Sequence, residues 1–156
     1  MIIIDIPGFK KLLIEHLVID FNGTIGCDGK LLPGLAERLN ALAEQAEIHV
    51  ISADTYGTVR QEVDDIDCRI VVVAPDNQDL IKAEYVINLN GEKVIAIGNG
   101  RNDKLMLRKA ALGISVMQRE GLAVEALMAS DVLVNDLIDA LDLLLYPGRL
   151  ISTLRQ

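Results

Sequence analysis

Residues 16–26 read HLVIDFNGTIG. A short apolar run ends in the carboxylate of Asp20 and passes at once into Phe21, Asn22, Gly23 and Thr24. The run shows no polar/apolar alternation, so it is expected to be a strand covered on both faces, as in a parallel sheet. Gly23 lets the backbone turn and approach an anion closely. Free amides after Asp20 are expected to form an anion-binding concavity. A strand that delivers a carboxylate onto a Gly-Thr turn suits phosphate chemistry. It also raises a question, because an amide, Asn22, stands where a second carboxylate would be useful.

Working outward, short apolar runs alternate with helical patterns. Strands are expected at 47–52 (EIHVIS), 68–74 (CRIVVVA), 93–98 (KVIAIG), 112–117 (LGISVM) and 131–134 (DVLV), with IIIDI near the start as an edge strand. Helices are expected at 32–45, with Pro33 near the first turn, at 55–63, weakened by Gly57, and at 76–89, with Asp76 as a candidate cap. Further helices are expected at 103–111, 121–129 and 136–146, and a second, basic one at 148–156 after Pro147. This βαβα rhythm implies one α/β domain over residues 1–156, a doubly wound, mostly parallel sheet with helices on both faces. Ligands of such sheets bind at the carboxyl ends of the strands. Those ends carry Asp20, Ser52, the 74–76 turn, the 99–103 loop and the loop after Met117.

Composition narrows the possibilities. With 51% hydrophobic residues, 3% aromatic and no Trp, the core must be aliphatic. The net charge of −8 excludes generic binding to nucleic acid or to an anionic membrane, both of which need a basic face. An acidic chain that handles phosphate must recruit cations locally, so a metal ion is expected. Cys27 and Cys68 show no metal spacing and no disulfide framework, which points to a reducing cytoplasm. The apolar N-terminus is interrupted by Asp5, Lys10, Lys11 and Glu15, and reads as neither a signal peptide nor a membrane span.

Asp20 can act as a nucleophile toward phosphorus or as a metal ligand. Ser52 can donate its hydroxyl to a phosphoryl oxygen, and Lys82 can neutralise developing charge. Asp103 can join Asp20 around Mg²⁺, which takes a few carboxylates and leans on phosphate oxygens. Each has a plainer role. Asp20 could satisfy turn amides, Ser52 could be an ordinary strand-end hydroxyl, and Asp103 could cap a helix. Lys93 and Lys104 compete with Lys82 for the cationic role. Asp54 could cap the helix that follows it. His16 and His49 are expected only to pack or hydrogen-bond, and Cys27 to be a buried thiol.

VIDFNGT, HVISAD, Lys82 and IGNGRND fall in the order and approximate spacing of the four motifs of the haloacid dehalogenase superfamily. The chain most resembles the P-type ATPase branch, with Ser52-Ala53-Asp54 similar to its Thr-Gly-Asp and Gly98-Asn99-Gly100-Arg101-Asn102-Asp103 similar to its Gly-Asp-Gly-x-Asn-Asp. The resemblance covers about residues 16 to 136 and implies a stand-alone relative of the ATPase phosphorylation domain. It implies a Mg²⁺-dependent phosphohydrolase or phosphotransferase with Asp20 as the phosphorylated nucleophile. The Asn22 backbone carbonyl and Asp103 would complete the metal site, with Asn99 beside it. Phe21, Gly23, Thr24, Ser52, Ala53, Lys82 and Asn102 would surround the phosphoryl group, with Thr24 hydrogen-bonded inside its own turn.

Two departures follow from the same comparison. Phosphatases of the superfamily carry a general acid/base Asp where Asn22 stands, and an amide can do neither job. The ATPases carry Thr there, which fits a phosphoenzyme that lasts. Asn99 replaces a second Asp and removes a charge near the metal. Slow turnover on a small phosphorylated molecule is expected, or a catalytically impaired phosphate-binding domain that acts through a protein partner. The segment after Asp20 is the usual place for a flap, and the Ser52–Lys82 interval is too short for a cap domain. The apolar surplus of helix 136–146 suggests a homo-oligomer. Nothing in the sequence names the substrate.

Overall fold

The computed structural model describes residues 1–53 and 57–156. Six strands form one wholly parallel sheet: β3 (His16–Asp20), β6 (Glu47–Ser52), β7 (Arg69–Val72), β8 (Val94–Gly98), β9 (Leu112–Val116) and β10 (Val132–Val134). Their order across the sheet is β10-β9-β8-β3-β6-β7. The chain therefore runs outward from β3 through β6 and β7, then restarts at β8 on the other side. The carboxyl ends of β3 and β8 flank that switch point, where open α/β sheets hold ligands. Both faces of β3 are covered, Leu17 and Ile19 by one cluster of Leu, Ile and Val, and Val18 by a second. This is why its sequence does not alternate.

The N-terminal segment differs from the expected edge strand. β1 (Ile2–Ile6) pairs antiparallel with β2 (Lys10–Ile14) in a separate hairpin. Ile2, Ile4 and Ile6 point into the core while Ile3 and Asp5 face solvent. That alternation marks a ribbon with one wet side, and the lysines of β2 obscured the second strand. A second ribbon, β4 (Gly26–Cys27) with β5 (Lys30–Leu31), is the flap expected after Asp20. Its turn residues, Asp28 and Gly29, have φ of 52° and 78°, as a two-residue hairpin of this hand requires. No large cap is present among the described residues. Between β6 and the helix Gln78–Asn88 the described residues contain only α2 (Val59–Glu62) and β7.

Helices α1 (Leu35–Ala43), α3 (Gln78–Asn88) and α4 (Lys104–Lys109) lie within the expected ranges. Helix α2 is shorter than expected, with Gly57 in a left-handed turn before it, and part of the expected span lies outside the described residues. α5 (Val124–Leu127) is also shorter, starting after Gly121 at φ 85°. The cap of α3 is Asn77, in a left-handed conformation, rather than Asp76. Asp136 accepts from the Asp139 amide at 2.8 Å and caps α6 (Leu137–Leu145), while Pro147 begins α7 (Pro147–Leu154). The apolar surplus of α6 is absorbed within the chain. Leu137, Ala140, Leu141 and Leu144 are buried, and Ile138, Leu143 and Leu145 pack on the same core. No helix among the described residues is long and apolar enough to cross a membrane.

His49 is fully buried, and its Nδ1 lies 2.8 Å from the Tyr85 hydroxyl. Burial pushes its pKa down to about 4, against a smaller opposing pull from Glu47. Cys27 is half-buried rather than buried, and desolvation, then Asp28 and Glu120, raise its thiol pKa.

Candidate active site

Three ionisable side chains meet at the switch point. Asp20 ends β3, Lys82 projects from α3, and Asp103 ends the 3₁₀ turn Arg101–Asp103 after β8. Lys82 Nζ donates to Asp20 Oδ1 at 2.6 Å and to Asp103 Oδ1 at 2.7 Å. Lys82 and Asp103 are 0% exposed and Asp20 4%. A buried lysine without partners would lose its proton. Here burial does pull its pKa down, but the two carboxylates outweigh it and hold the ammonium charged well above its ordinary range. The competing lysines are occupied elsewhere, Lys93 with Glu15 at 2.8 Å and Lys104 with Asp79 at 3.3 Å.

Two carboxylates around one ammonium leave the cluster one positive charge short. Asp20 carries the consequence. Burial first, and Asp103 second, push its pKa up to about 7, with Lys82 pulling the other way. Asp103 also ties the loop together, its Oδ2 accepting from the amides of Asn99 at 3.0 Å and Gly100 at 2.8 Å. It is thus both a loop cap and part of the charged cluster. Gly98 makes room for it, since a Cβ there would lie 2.5 Å from Asp103 Oδ2.

Around the cluster opens a cleft of about 370 Å³, lined by Asp20, Asn22, Ala53, Gln78, Asn102 and Glu120 together with the Asn99–Gly100 turn. Ser52 is buried at the end of β6, and Asn22 Nδ2 donates to its hydroxyl at 3.4 Å. Among the described residues, Asn22 Oδ1 is buried with no hydrogen-bond partner. Asn102 donates to Gln78 Oε1 at 2.7 Å. Gln78 and Glu120 are cleft residues that the sequence did not single out, because neither belongs to a spaced motif. Asp54, which could be part of the second motif or cap the helix after it, lies outside the described residues.

The turn after Asp20 departs from expectation. The amides of Phe21, Gly23, Thr24, Ile25 and Gly26 all donate to backbone carbonyls, so they do not form an open anion-binding concavity. The turn closes on itself because buried amides must find acceptors. Phe21 is fully buried beneath Gly26, its ring 2.9 Å from where a Cβ would sit. The Thr24 hydroxyl leaves its own turn and donates to Asn99 Oδ1 at 3.2 Å, while Asn99 Nδ2 donates to the Gly121 carbonyl at 2.9 Å. Asn99 therefore joins three loops, and a carboxylate could not make the bond to Gly121. Gln118 adds another tie, donating to the carbonyls of Gly23 and Thr24 and accepting from Leu137 N.

Gly23 is required twice over. Its φ is +78°, and a Cβ would lie 2.4 Å from Asn99 Nδ2. Gly23→Ala is expected to destabilise the fold by roughly 1–3 kcal/mol. Gly148→Ala, in helix α7 with nothing within 4 Å, is expected to be neutral or slightly stabilising. Thermal denaturation of both variants checks this, and equal melting temperatures would show that the turn tolerates a side chain.

The residues present fit a divalent cation. A buried cluster short of one positive charge and an orphaned amide oxygen at the same cleft are both answered by such an ion, and oxygen donors favour a hard one.

No family model matches the chain. Two uncharacterised proteins of Methanocaldococcus jannaschii are similar in sequence. One is 52% identical over 64 residues, 41% of this chain and 69% of that protein. The other is 54% identical over 39 residues, 25% of this chain and 89% of that protein. The chain belongs to the same family as these two. Among solved structures, it is similar to the 3-deoxy-D-manno-octulosonate 8-phosphate phosphatase of Moraxella catarrhalis, solved with magnesium, phosphate and the sugar acid. The TM-score is 0.71 at 16% identity, over 91% of this chain and 94% of that one. The cobalt-bound phosphatase of the same name from Haemophilus influenzae gives 0.71 at 11% identity, over 92% and 94%. A haloacid dehalogenase superfamily hydrolase from Legionella pneumophila gives 0.66 at 14%, over 90% and 88%. The fold is that of the haloacid dehalogenase superfamily.

Proposed function

We propose that the chain is a slow Mg²⁺-dependent phosphohydrolase or phosphotransferase that works through an aspartyl phosphate on Asp20. The observation that carries this reading is the buried Asp20–Lys82–Asp103 cluster at the switch point. In the first step an Asp20 carboxylate oxygen attacks phosphorus, the bond to the leaving oxygen breaks, and an acyl phosphate forms. Water then attacks phosphorus and returns the free carboxylate and inorganic phosphate. Lys82 neutralises the charge spread over the phosphoryl oxygens, and Ser52 donates to one of them. Asp20, Asp103 and the Asn22 carbonyl would hold Mg²⁺, which supplies further charge neutralisation. Asn22 provides no proton to the leaving group and removes none from water, so both steps rely on solvent.

The substrate of this reading is a small phosphorylated molecule, in keeping with the open cleft and with phosphatases of the same fold. Among the described residues no cap covers the cleft, so in this reading the site is open or is closed by a second copy of the chain or a protein partner. The free thiols of Cys27 and Cys68 fit a cytoplasmic setting. The affinity to the P-type ATPase branch rests on the motif wording alone. Asn22 also favours a second reading, a phosphate-binding domain without turnover that acts through a protein partner.

The test is hydrolysis of 4-nitrophenyl phosphate with and without Mg²⁺, using protein whose intact mass excludes deamidation at Asn22-Gly23 and Asn99-Gly100. Wild type is expected to turn over slowly and only with Mg²⁺, and Asp20→Asn to be silent. Equal rates in Asp20→Asn would overturn the assignment of the nucleophile. Binding of phosphate with no turnover would move the second reading ahead.

A further inference from the structure

At the opposite end of the sheet from Asp20, β3 and β6 begin with three side chains that the phosphoryl chemistry does not use. His16 opens β3, paired in register with Glu47, and His49 lies two residues along β6 from Glu47, on the same face. Their polar atoms converge. His16 Nδ1 lies 3.1 Å from His49 Nε2 and 3.4 Å from Glu47 Oε2, and His49 Nε2 lies 3.5 Å from the same oxygen. An ion in tetrahedral coordination, about 2.0–2.1 Å from nitrogen and about 2.0–2.2 Å from oxygen, needs ligand atoms roughly 3.3–3.5 Å apart. The two edges to Glu47 have that size, and the edge between the histidines, at 3.1 Å, is about 0.2 Å shorter.

We propose that His16, Glu47 and His49 bind a borderline divalent cation of the zinc class, at a site separate from the Asp20 cleft. Four residue steps along β3 from His16 to Asp20, about 13 Å of strand, separate the two. Two imidazoles and one carboxylate select zinc, cobalt or nickel over magnesium. His49 is fully buried and oriented from behind by the Tyr85 hydroxyl, 2.8 Å from its Nδ1, so that Nε2 faces the other two ligands. A partner of this kind on the far ring nitrogen fixes a metal-binding histidine. The Arg69 guanidinium, 2.7 Å from Glu47 Oε1, holds the carboxylate with Oε2 toward the histidines.

With the His49 proton on Nδ1, hydrogen bonding without an ion serves these atoms poorly. When His49 gives its Nδ1 proton to Tyr85, Nε2 presents a lone pair, and Glu47 presents only lone pairs. His16 Nδ1–H then faces two acceptors and can align with only one. A cation satisfies all three atoms, with His16 carrying its proton on the other ring nitrogen. The site is reachable, because His16 and Glu47 side chains are 19% and 41% exposed and Glu47 lines an open cleft of about 650 Å³. A water can take the fourth position from that side. The ion would pin the starts of β3 and β6 together and stabilise the folded chain.

This proposal does not depend on the Asp20 chemistry, and its test keeps the two apart. Zn²⁺ is titrated calorimetrically into the full chain in excess Mg²⁺, and Co²⁺ is used as a visible-absorption probe of coordination. Wild type, Asp20→Asn, Cys27→Ser and Cys68→Ser are each expected to bind one Zn²⁺ per chain, with a melting temperature that rises with Zn²⁺. His16→Gln and Glu47→Gln, at partly exposed positions, are each expected to weaken binding at least tenfold while their circular dichroism stays that of wild type. Unaltered affinity in both variants would overturn the proposal. So would loss of binding in Asp20→Asn or in Cys27→Ser, which sits beside Asp28 and Glu120, or the absence of binding at micromolar Zn²⁺.

Discussion

Asn22→Asp is expected to raise kcat for phosphate ester hydrolysis by about 10²- to 10⁴-fold, which is about 3–5 kcal/mol off the barrier. Asn22 lines the cleft beside Asp20, and its Oδ1 is buried without a partner. A carboxyl group of nearly the same shape fits that space. The surrounding Asp20 and Asp103 would raise its pKa, so a useful fraction is protonated near neutral pH and can serve the leaving oxygen. The gain must depend on the leaving group. A nitrophenolate leaves without a proton, whereas an alkoxide does not, so alkyl phosphates should gain more than 4-nitrophenyl phosphate. Rates on both substrates check this. No gain on either, with Asp20→Asn still silent, would show that position 22 cannot act as acid or base in this cleft.

The sheet was legible because its strands are uninterrupted aliphatic runs that end in polar turns. The reading of HLVID as a central strand followed from the absence of alternation, and β3 does lie between β6 and β8. The N-terminal hairpin was harder to see. β2 carries Lys11 on its wet side and opens with the half-buried Lys10, whose Nζ donates to the Ala111 carbonyl, and those charges looked like an interruption of an apolar tail. For the site, order and spacing pointed to Asp20, Lys82 and Asp103, which the fold brings within hydrogen-bonding distance. Spacing could not reveal where individual polar atoms go. That Thr24 reaches Asn99, that Asn99 holds Gly121, and that the turn amides close on themselves are outcomes of packing between distant loops. Gln78, Gln118 and Glu120 were missed for the same reason. The His16–Glu47–His49 cluster escaped because His16 lies on a different strand from Glu47 and His49, and only the parallel register aligns them.

Lys82→Met is expected to abolish turnover and to destabilise the fold by about 3–5 kcal/mol near pH 8, because it leaves two buried carboxylates without their cation. Methionine keeps most of the side-chain volume, so the loss reports charge rather than a cavity. The sign of the pH dependence follows from Asp20. Burial and Asp103 raise its folded pKa to about 7 even with Lys82 present, against about 3.9 unfolded. A folded pKa above the unfolded one means that the folded state binds the extra proton. The associated stability is fully present below about pH 3.9 and is lost as pH rises through about 7. Wild type in metal-free buffer should therefore weaken between about pH 4 and pH 7, and Mg²⁺ should flatten that decline. Without Lys82, which pulls the Asp20 pKa down, Asp20 holds its proton to higher pH still, so the deficit of Lys82→Met relative to wild type should be smaller at pH 5 than at pH 8. Urea denaturation of both proteins at the two pH values, with and without Mg²⁺, measures this. A deficit that is equal at pH 5 and pH 8, or below about 1 kcal/mol at both, would mean that the carboxylates do not depend on Lys82 for their charge.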